Sequence, residues 1–377
     1  MKVAIVHDWL TTYCGAEKVL EELFNIYPDA DLFSLIDFMP ASQRGFLNGR
    51  KARTSLLQKL PFARSRYRHY LHVMPFLIEQ FDLSGYDIVI SSSYCVAKGV
   101  ITGPDQLHVS YIYSPMRYIW DLEKQYVSKW KGPLGWFIRW RFHRMRLWDV
   151  ISSYRPDVLV TDSGFVARRI QKTYRRDASV VFPPVDLAAF TMKDKKEEYF
   201  VTVSRMVPYK KTDLLVRAFN GMPERRLVVV GDGPDRARIE KDAGPNVTMT
   251  GYIEQAQVVE LLQNANGFLY AAEEDFGIAI VEAQACGTPV IAYGKGGAVE
   301  TVRTLPSENP TGILFAEQTE ASIQEAVSRF ADSRHDYSST ACRENAERFT
   351  SRRFRQEMID IIDKAWAAIK IKPASQR

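Results

Sequence analysis

Residues 273–300 read EEDFGIAIVEAQACGTPVIAYGKGGAVE. Glu274 and Glu282 stand eight positions apart, Gly277 and a short apolar run lie between them, and Gly287-Thr288-Pro289 leads into Val290-Ile291-Ala292. This order predicts a loop, a helix, a Gly/Pro turn and a buried strand. A helix that begins near Phe276 turns backbone N–H groups and the positive end of its dipole toward the loop, and such an end attracts an anion. Glu282, about two turns beyond Glu274, can accept hydrogen bonds from two neighbouring hydroxyls. An anion beside a diol points to a sugar nucleotide. The same spacing also fits an ordinary αβ unit with two exposed acids.

The bulk numbers set the frame. At 377 residues the chain is long for one core, so two domains are expected. A hydrophobic content of 46% with 25% charged residues fits a soluble globular enzyme. No apolar run reaches the roughly 18 residues needed to cross a bilayer. The opening MKVAIVHDWL is too short for a signal peptide and reads as a first strand. Cys14, Cys95, Cys286 and Cys342 are scattered without metal or redox spacing, which predicts reduced thiols and a cytoplasmic setting.

Charge is distributed unevenly. Residues 1–182 hold 25 Lys+Arg against 17 Asp+Glu, a net +8, and the rest holds 25 against 28, a net −3. From Phe38 to Ile78 there is no acid, while eight Lys/Arg fall there, Arg64, Arg66 and Arg68 among them. A second acid-free run, Lys124 to Trp148, carries seven. The first half, not the whole chain, is therefore expected to face something anionic.

Taken in order, Val3–Val6 is a short apolar run ending in His7-Asp8-Trp9, and Gly15-Ala16-Glu17 opens the helical pattern Val19, Leu20, Leu23, Phe24. Strand, Gly-containing loop and helix make the opening unit of a doubly wound α/β domain, whose ligands gather at the carboxyl ends of strands. Gly15 either lets backbone approach a phosphate or sugar, or serves a plain tight turn. Further strands are predicted over 31–36, 87–91 and 108–113. The last runs into Ser114-Pro115-Met116-Arg117-Tyr118-Ile119-Trp120-Asp121, which is an acceptor loop or a loop packed by its own aromatics. Residues 135–150 read GWFIRWRFHRMRLWDV. On a helix, Ile138, Phe142 and Met145 share a face while Trp140 and Leu147 point elsewhere. Either this helix is mostly buried with its arginines snorkelling out, or it lies in a membrane surface. Together with the earlier basic segment it favours an anionic lipid surface, with nucleic acid ranked below it. A strand at 156–163, a helix from Gly164 and a strand at 179–182 follow. Pro183-Pro184 and the charged run 193–198 then mark a boundary. The second half restarts the alternation and closes with an amphipathic helix, 353–369, whose basic tail is expected to fray.

Ser204-Arg205-Met206-Val207-Pro208-Tyr209-Lys210-Lys211 falls between a strand and a helix. An Arg and a Lys on such a loop suit a diphosphate, because Arg forks onto two oxygens and Lys is a point charge. Here the chain resembles the glycosyltransferase family 4 enzymes of GT-B fold. The matching residues are Ser204-Arg205-x4-Lys210, Gly231-Asp232-Gly233-Pro234, Glu274-x7-Glu282, Gly287-Thr288-Pro289-Val290 and Thr311-Gly312-Ile313-Leu314-Phe315. The first half is similar to one subgroup, the mannosyltransferases of exopolysaccharide and O-antigen assembly, through His7-Asp8-Trp9-Leu10, Gly15-Ala16-Glu17, Ser114-Pro115-Met116-Arg117-Tyr118-x-Trp120-Asp121 and Pro183-Pro184-Val185-Asp186.

The resemblance implies an α/β fold of two Rossmann-like domains facing across a cleft. It places an acceptor domain over 1–185, with the C-terminal helix 353–370 packing back on it, and a donor domain over 195–352. It also implies transfer of a sugar from a nucleotide diphosphate donor with retention at the anomeric carbon, without a metal or any other cofactor. Arg205 and Lys210 would neutralise the leaving diphosphate, Glu274 would hold sugar hydroxyls and Glu282 the ribose. Backbone at Phe276, Gly277 and Ile278, with Gly15, would meet the sugar or phosphate. Asp8, Tyr113, Arg117 and Tyr118 are the acceptor-side candidates, and Arg64, Arg66 and Arg68 the membrane candidates. Tyr113 departs from the subgroup, which has His there; a tyrosine is a poor base near neutral pH. The expected partners are GDP-mannose or, next, a UDP-sugar, a polyprenyl-diphosphate-linked saccharide and the anionic inner face of the cell membrane. Nucleic acid is not expected. An epimerase of the same fold and a non-catalytic scaffold are the rival readings.

Overall fold

The computed structural model describes residues 1–128 and 130–371; of the tail expected to fray, residues 372–377 lie outside the described residues. The chain divides into two compact units, Met1–Pro183 together with the chain from Phe354 onward, and Pro184–Arg353.

The first unit is built on seven parallel strands: β1 (Val3–His7), β2 (Asp31–Ser34), β3 (Arg53–Thr54), β4 (Ile88–Ser93), β5 (Leu107–Ile112), β6 (Val158–Thr161) and β7 (Ser179–Val180). Their order is β3-β2-β1-β4-β5-β6-β7. A parallel sheet is covered on both faces, so its central strands β1, β4 and β5 are buried end to end, apolar at their amino ends, with buried polar residues such as Ser91, Ser92 and His108 among them. On one face the helix Gly15–Ile26 contributes Val19, Leu20, Leu23 and Phe24. Phe354, Met358 and Ile362, spaced four apart on the helix Ser351–Ile371, join the same cluster beside Ile5, Ile90 and Val109. On the other face the basic segment supplies Leu57, Tyr67, Met74, Leu77 and Ile78 against Ala4, Val6 and Val89.

The order reverses between β1 and β4, and their carboxyl ends diverge there. Asp8, the first residue after β1, fills that point. It is fully buried, and its carboxylate accepts four backbone N–H bonds, from Tyr94 (2.7 Å), Cys95 (2.8 Å), Val96 (2.6 Å) and Ala97 (2.7 Å). Asp8 was expected on the acceptor side. Instead both its oxygens are spent on the chain's own backbone.

The helix Gly132–Ser152 is not mostly buried. Gly135, Met145, Asp149 and Ser152 are buried and Ile138 and Phe142 half-buried, one stripe at helical spacing, whereas Trp136 and Trp140 are 67% and 48% exposed. Its carboxyl end is fixed by Asp149, which receives Lys98 Nζ at 2.5 Å, Trp120 Nε1 at 2.8 Å and the Tyr174 hydroxyl at 2.9 Å. Three donors on one buried carboxylate meet the condition under which an interior ion pair is tolerated.

The second unit repeats the scheme with β8 (Glu197–Val203), β9 (Arg226–Val230), β10 (Val247–Gly251), β11 (Ala265–Tyr270), β12 (Val290–Tyr293) and β13 (Gly312–Phe315). They pair in parallel in the order β10-β9-β8-β11-β12-β13, so the reversal falls between β8 and β11. Phe219, Val229, Leu269, Ile291 and Phe330 belong to its core.

Two stability predictions follow from the first unit. Asp8→Asn turns an amide NH₂ toward two of the four N–H donors, and should cost about 3 kcal/mol in urea unfolding of that unit. His108, on β5, is buried with Nε2 2.8 Å from Ser91 Oγ, and burial, reinforced by Arg155 and Arg176, depresses its pKa to about 3. The unfolded chain takes up a proton below about pH 6.5 that the native state refuses until about pH 3. The stability is therefore complete above that range and falls with pH, by about 1.4 kcal/mol at about pH 5.5. His108→Gln should flatten this limb of a pH–stability curve.

Candidate functional site

The loop after β8 and the loop after β11 meet through one side-chain cluster. A single turn of 3-10 helix, Pro208–Lys210, ends the first loop and brings Lys210 Nζ to 2.7 Å from Glu274 Oε1 and 3.0 Å from the hydroxyl of Tyr270, the last residue of β11. Burial pulls the Lys210 ammonium down, but Glu274 and Tyr270 outweigh it and hold its pKa above the usual lysine range. Burial and the Glu274 charge hold the Tyr270 phenol protonated. An ammonium has three donors, and this one gives two to the protein. Arg205 is exposed on the same loop, and among the described residues its guanidinium has no partner.

Both loops are positioned by backbone laid on backbone. Ser204 N–H donates to Val230 O (3.0 Å), Met206 N–H to Asp232 O (2.9 Å) and Asp235 N–H to Met206 O (3.2 Å). This approach needs Gly231, with φ +126°, where a Cβ would stand 2.0 Å from Ser204 O. Glu274 is held likewise: Gly297 N–H donates to its carbonyl at 2.8 Å, and at Gly296, with φ +76°, a Cβ would stand 2.2 Å from that oxygen.

The helix Ile278–Ala285 opens at Gly277 without a side-chain cap. The Phe276 ring is buried edge-on to Phe349 at 5.4 Å, so its backbone is what it offers to the loop. Glu282 is half-buried four residues after Ile278, one turn into this helix. Lys210 and Glu274 are thus brought into contact, while Arg205, Phe276, Gly277, Ile278 and Glu282 lie on the same two loops and the helix that follows.

The other predicted residues belong to the first unit. Gly15 is the first residue of the helix Gly15–Ile26. The Tyr113 hydroxyl lies 3.0 Å from Ser92 Oγ and donates to the carbonyl of Ala16 at 3.0 Å. Burial raises its pKa well above the ordinary tyrosine value, so it is a fixed phenol. Tyr118 contacts Cys95 Sγ (3.0 Å) and Met116 Sδ (3.1 Å) and packs on the core. Arg117 pairs with Asp121 at 3.5 Å. Arg64, Arg66 and Arg68 are exposed. Two neighbours went unread in the sequence. Buried His7, at the end of β1, reaches Ser92 Oγ (3.0 Å) through Nδ1 and Glu17 Oε1 (3.4 Å) through Nε2, and Tyr270 looks in sequence like one more apolar strand residue. His7-Asp8 at a strand end was the available signal for the former. Among the described residues no group of three or more His, Cys, Asp and Glu is placed to hold a metal ion, and no helix is long and apolar enough to cross a membrane.

Residues 187–349 match the family described as Glycosyl transferases group 1. A D-inositol 3-phosphate glycosyltransferase of Mycolicibacterium paratuberculosis is 30% identical over 185 residues, 42% of this chain and 41% of that protein. A GDP-mannose-dependent monoacylated alpha-(1-6)-phosphatidylinositol monomannoside mannosyltransferase of Corynebacterium glutamicum is 37% identical over 114 residues, 26% of this chain and 30% of that protein. The chain thus spans less than half the length of the curated relatives it matches. The crystal structure of the Anabaena protein HepE in complex with UDP superposes with a TM-score of 0.71 at 15% identity, over 97% of this chain and 100% of that one. With its two parallel sheets and alternating helices, the chain has the GT-B fold, made of two Rossmann-like domains.

Proposed function

We propose that the protein is a retaining glycosyltransferase that moves a sugar from a nucleotide diphosphate donor, with the donor on the second unit. The observation that carries this reading is the Lys210–Glu274–Tyr270 cluster at the reversal between β8 and β11, on loops that also hold Arg205, unpartnered among the described residues, and an uncapped helix start. The third donor of Lys210, the Arg205 fork and the helix amides supply positive charge where the leaving diphosphate gains negative charge. Donors placed there in advance lower the barrier. Glu274 is acceptor-only when ionised, which suits sugar hydroxyls, and Glu282 takes the ribose. Mannose from GDP-mannose is the donor proposed, supported by the printed name of the Corynebacterium relative; a UDP-sugar is the alternative, supported by the HepE complex. The proposed acceptor is a polyprenyl-diphosphate-linked saccharide of surface polysaccharide synthesis, met at the inner face of the cell membrane. The basic first half and the exposed Arg64, Arg66 and Arg68 support that setting.

Transfer from a panel of nucleotide sugars to a lipid-linked acceptor tests the reading. Lys210→Ala and Glu274→Ala should each lower kcat/KM by about 10²–10³-fold, the cost of one charge-assisted transition-state contact. Donor binding with no turnover in the unsubstituted protein would instead favour the scaffold, and conversion of donor without acceptor the epimerase. Because protein cations meet the diphosphate, turnover should be unchanged by EDTA. A loss restored by a divalent ion would overturn the metal-free assignment.

A further inference from the structure

The helix Gly132–Ser152 presents a second face that shares Met145 with its buried stripe. Phe137, Trp140, Arg141, Arg144, Met145 and Trp148 follow one another at i, i+3, i+4, i+7, i+8 and i+11, which places them on one face. They form one wall of an open groove of about 540 Å³, and His72 and Pro75 form the other. The two acid-free runs therefore meet in space, within one unit. The floor is apolar: Met145 is buried, and Phe137 and Trp140 stack at 6.0 Å. The rim is cationic. Arg141 lies 5.4 Å from the Phe137 ring, and among the described residues no carboxylate pairs with Arg141 or Arg144. Burial without a counter-ion pulls the pKa of Arg141 below its ordinary value. Glu79, which accepts the Trp148 indole N–H at 3.0 Å, is already matched by Arg155 at 2.7 Å.

A groove that is apolar along its length and cationic at its edge fits an amphiphile with an anionic head. Two dimensions narrow the choice. The volume falls within the ~300–1,000 Å³ of a pocket for one small ligand, enough for one chain and not for several. From Phe137 to Trp148 the wall runs about 16 Å at 1.5 Å per residue, close to half of a ~30 Å hydrocarbon core. That is the reach of an acyl chain in one leaflet, not of a long polyprenyl tail. We propose that the groove takes one acyl chain of an anionic glycerophospholipid, whose phosphate is held by Arg141 and Arg144. The site is independent of the transferase reading and would dock the first unit on a membrane whatever the second unit does.

The test uses the full chain with vesicles of phosphatidylcholine, with or without phosphatidylglycerol, read by flotation and by tryptophan quenching with brominated acyl chains. Binding should require phosphatidylglycerol. Arg141→Gln and Arg144→Gln should each weaken it about fivefold. Trp140→Phe should remove more of the quenching than Trp136→Phe, because Trp136 lies off the groove face. Thermal melts should be nearly unchanged in all four variants, since none loses a partner carboxylate or a fully buried side chain. Five results would overturn the proposal. One is equal binding to neutral vesicles. Another is binding insensitive to Arg141 and Arg144 but abolished by Arg64→Gln/Arg66→Gln/Arg68→Gln, which would mean a flat electrostatic contact. A third is equal recruitment by polyprenyl phosphate in neutral vesicles, assigning the groove to a prenyl chain. A fourth is self-association lost in Trp140→Phe without lipid binding, assigning it to a second copy. The last is an oligonucleotide that binds the groove face in place of lipid.

Discussion

A parallel sheet whose strand order reverses leaves two neighbouring loops diverging from its carboxyl edge, with backbone donors and acceptors that no strand can satisfy. Both units of this chain meet that constraint, and they resolve it in opposite ways. In the first unit the chain supplies its own anion: Asp8 takes four N–H groups of the 94–97 turn. His7, Ser92, Glu17 and Tyr113 close the remaining polar contacts around it. In the second unit the corresponding position carries cations: Lys210 is matched by Glu274, and Arg205 has no partner among the described residues. The end of the first sheet is satisfied from within, while the second leaves the Arg205 guanidinium without a partner among the described residues.

The two loops that carry Lys210 and Glu274 owe their geometry to glycines whose own contacts are with backbone. Gly231 lets the loop after β9 lie against Ser204, and Gly296 lets the loop after β12 lie against Glu274. Each contact is backbone to backbone, so each loop is fixed by hydrogen bonds rather than by side-chain rotamers. That rigidity is what an electrostatic site requires, since donors that must reorganise lose their advantage. The Lys210–Glu274 contact joins residues 64 positions apart and depends on both supports.

Much of the fold was legible because buried parallel strands read as continuous apolar runs. Val3–Val6 and Asp87–Ser91 could hardly be anything else. β3 has no sequence signal because Arg53–Thr54 is a two-residue edge strand with no apolar run. Arg205, Lys210, Glu274 and Glu282 stood out through their residue types between strand and helix signals. What those signals did not carry was contact. Reading Lys210 for phosphate and Glu274 for hydroxyls assigned them separate tasks, whereas they are each other's partner at 2.7 Å. Asp8 misled for a related reason: an acid after a first strand looks available until the turn that consumes it, some 86 residues later, is in place.

The helix Gly132–Ser152 shows how a strong pattern hides. A search for apolar period finds Ile138, Phe142 and Met145, the stripe that turns inward, with Met145 buried and the other two half-buried. The other stripe alternates aromatics with arginines, so its hydrophobicity averages away. Such a face is costly to leave in water, and the helix tolerates it because its far end is secured independently. Asp149, Lys98, Trp120 and Tyr174 fix the carboxyl-terminal turn in the interior, and the buried stripe fixes the rotation. With both set elsewhere, Phe137 and Trp140, 44% and 48% exposed, add little to that anchoring, and their arrangement with Arg141 and Arg144 calls for another reason. A surface that binds an anionic amphiphile provides one.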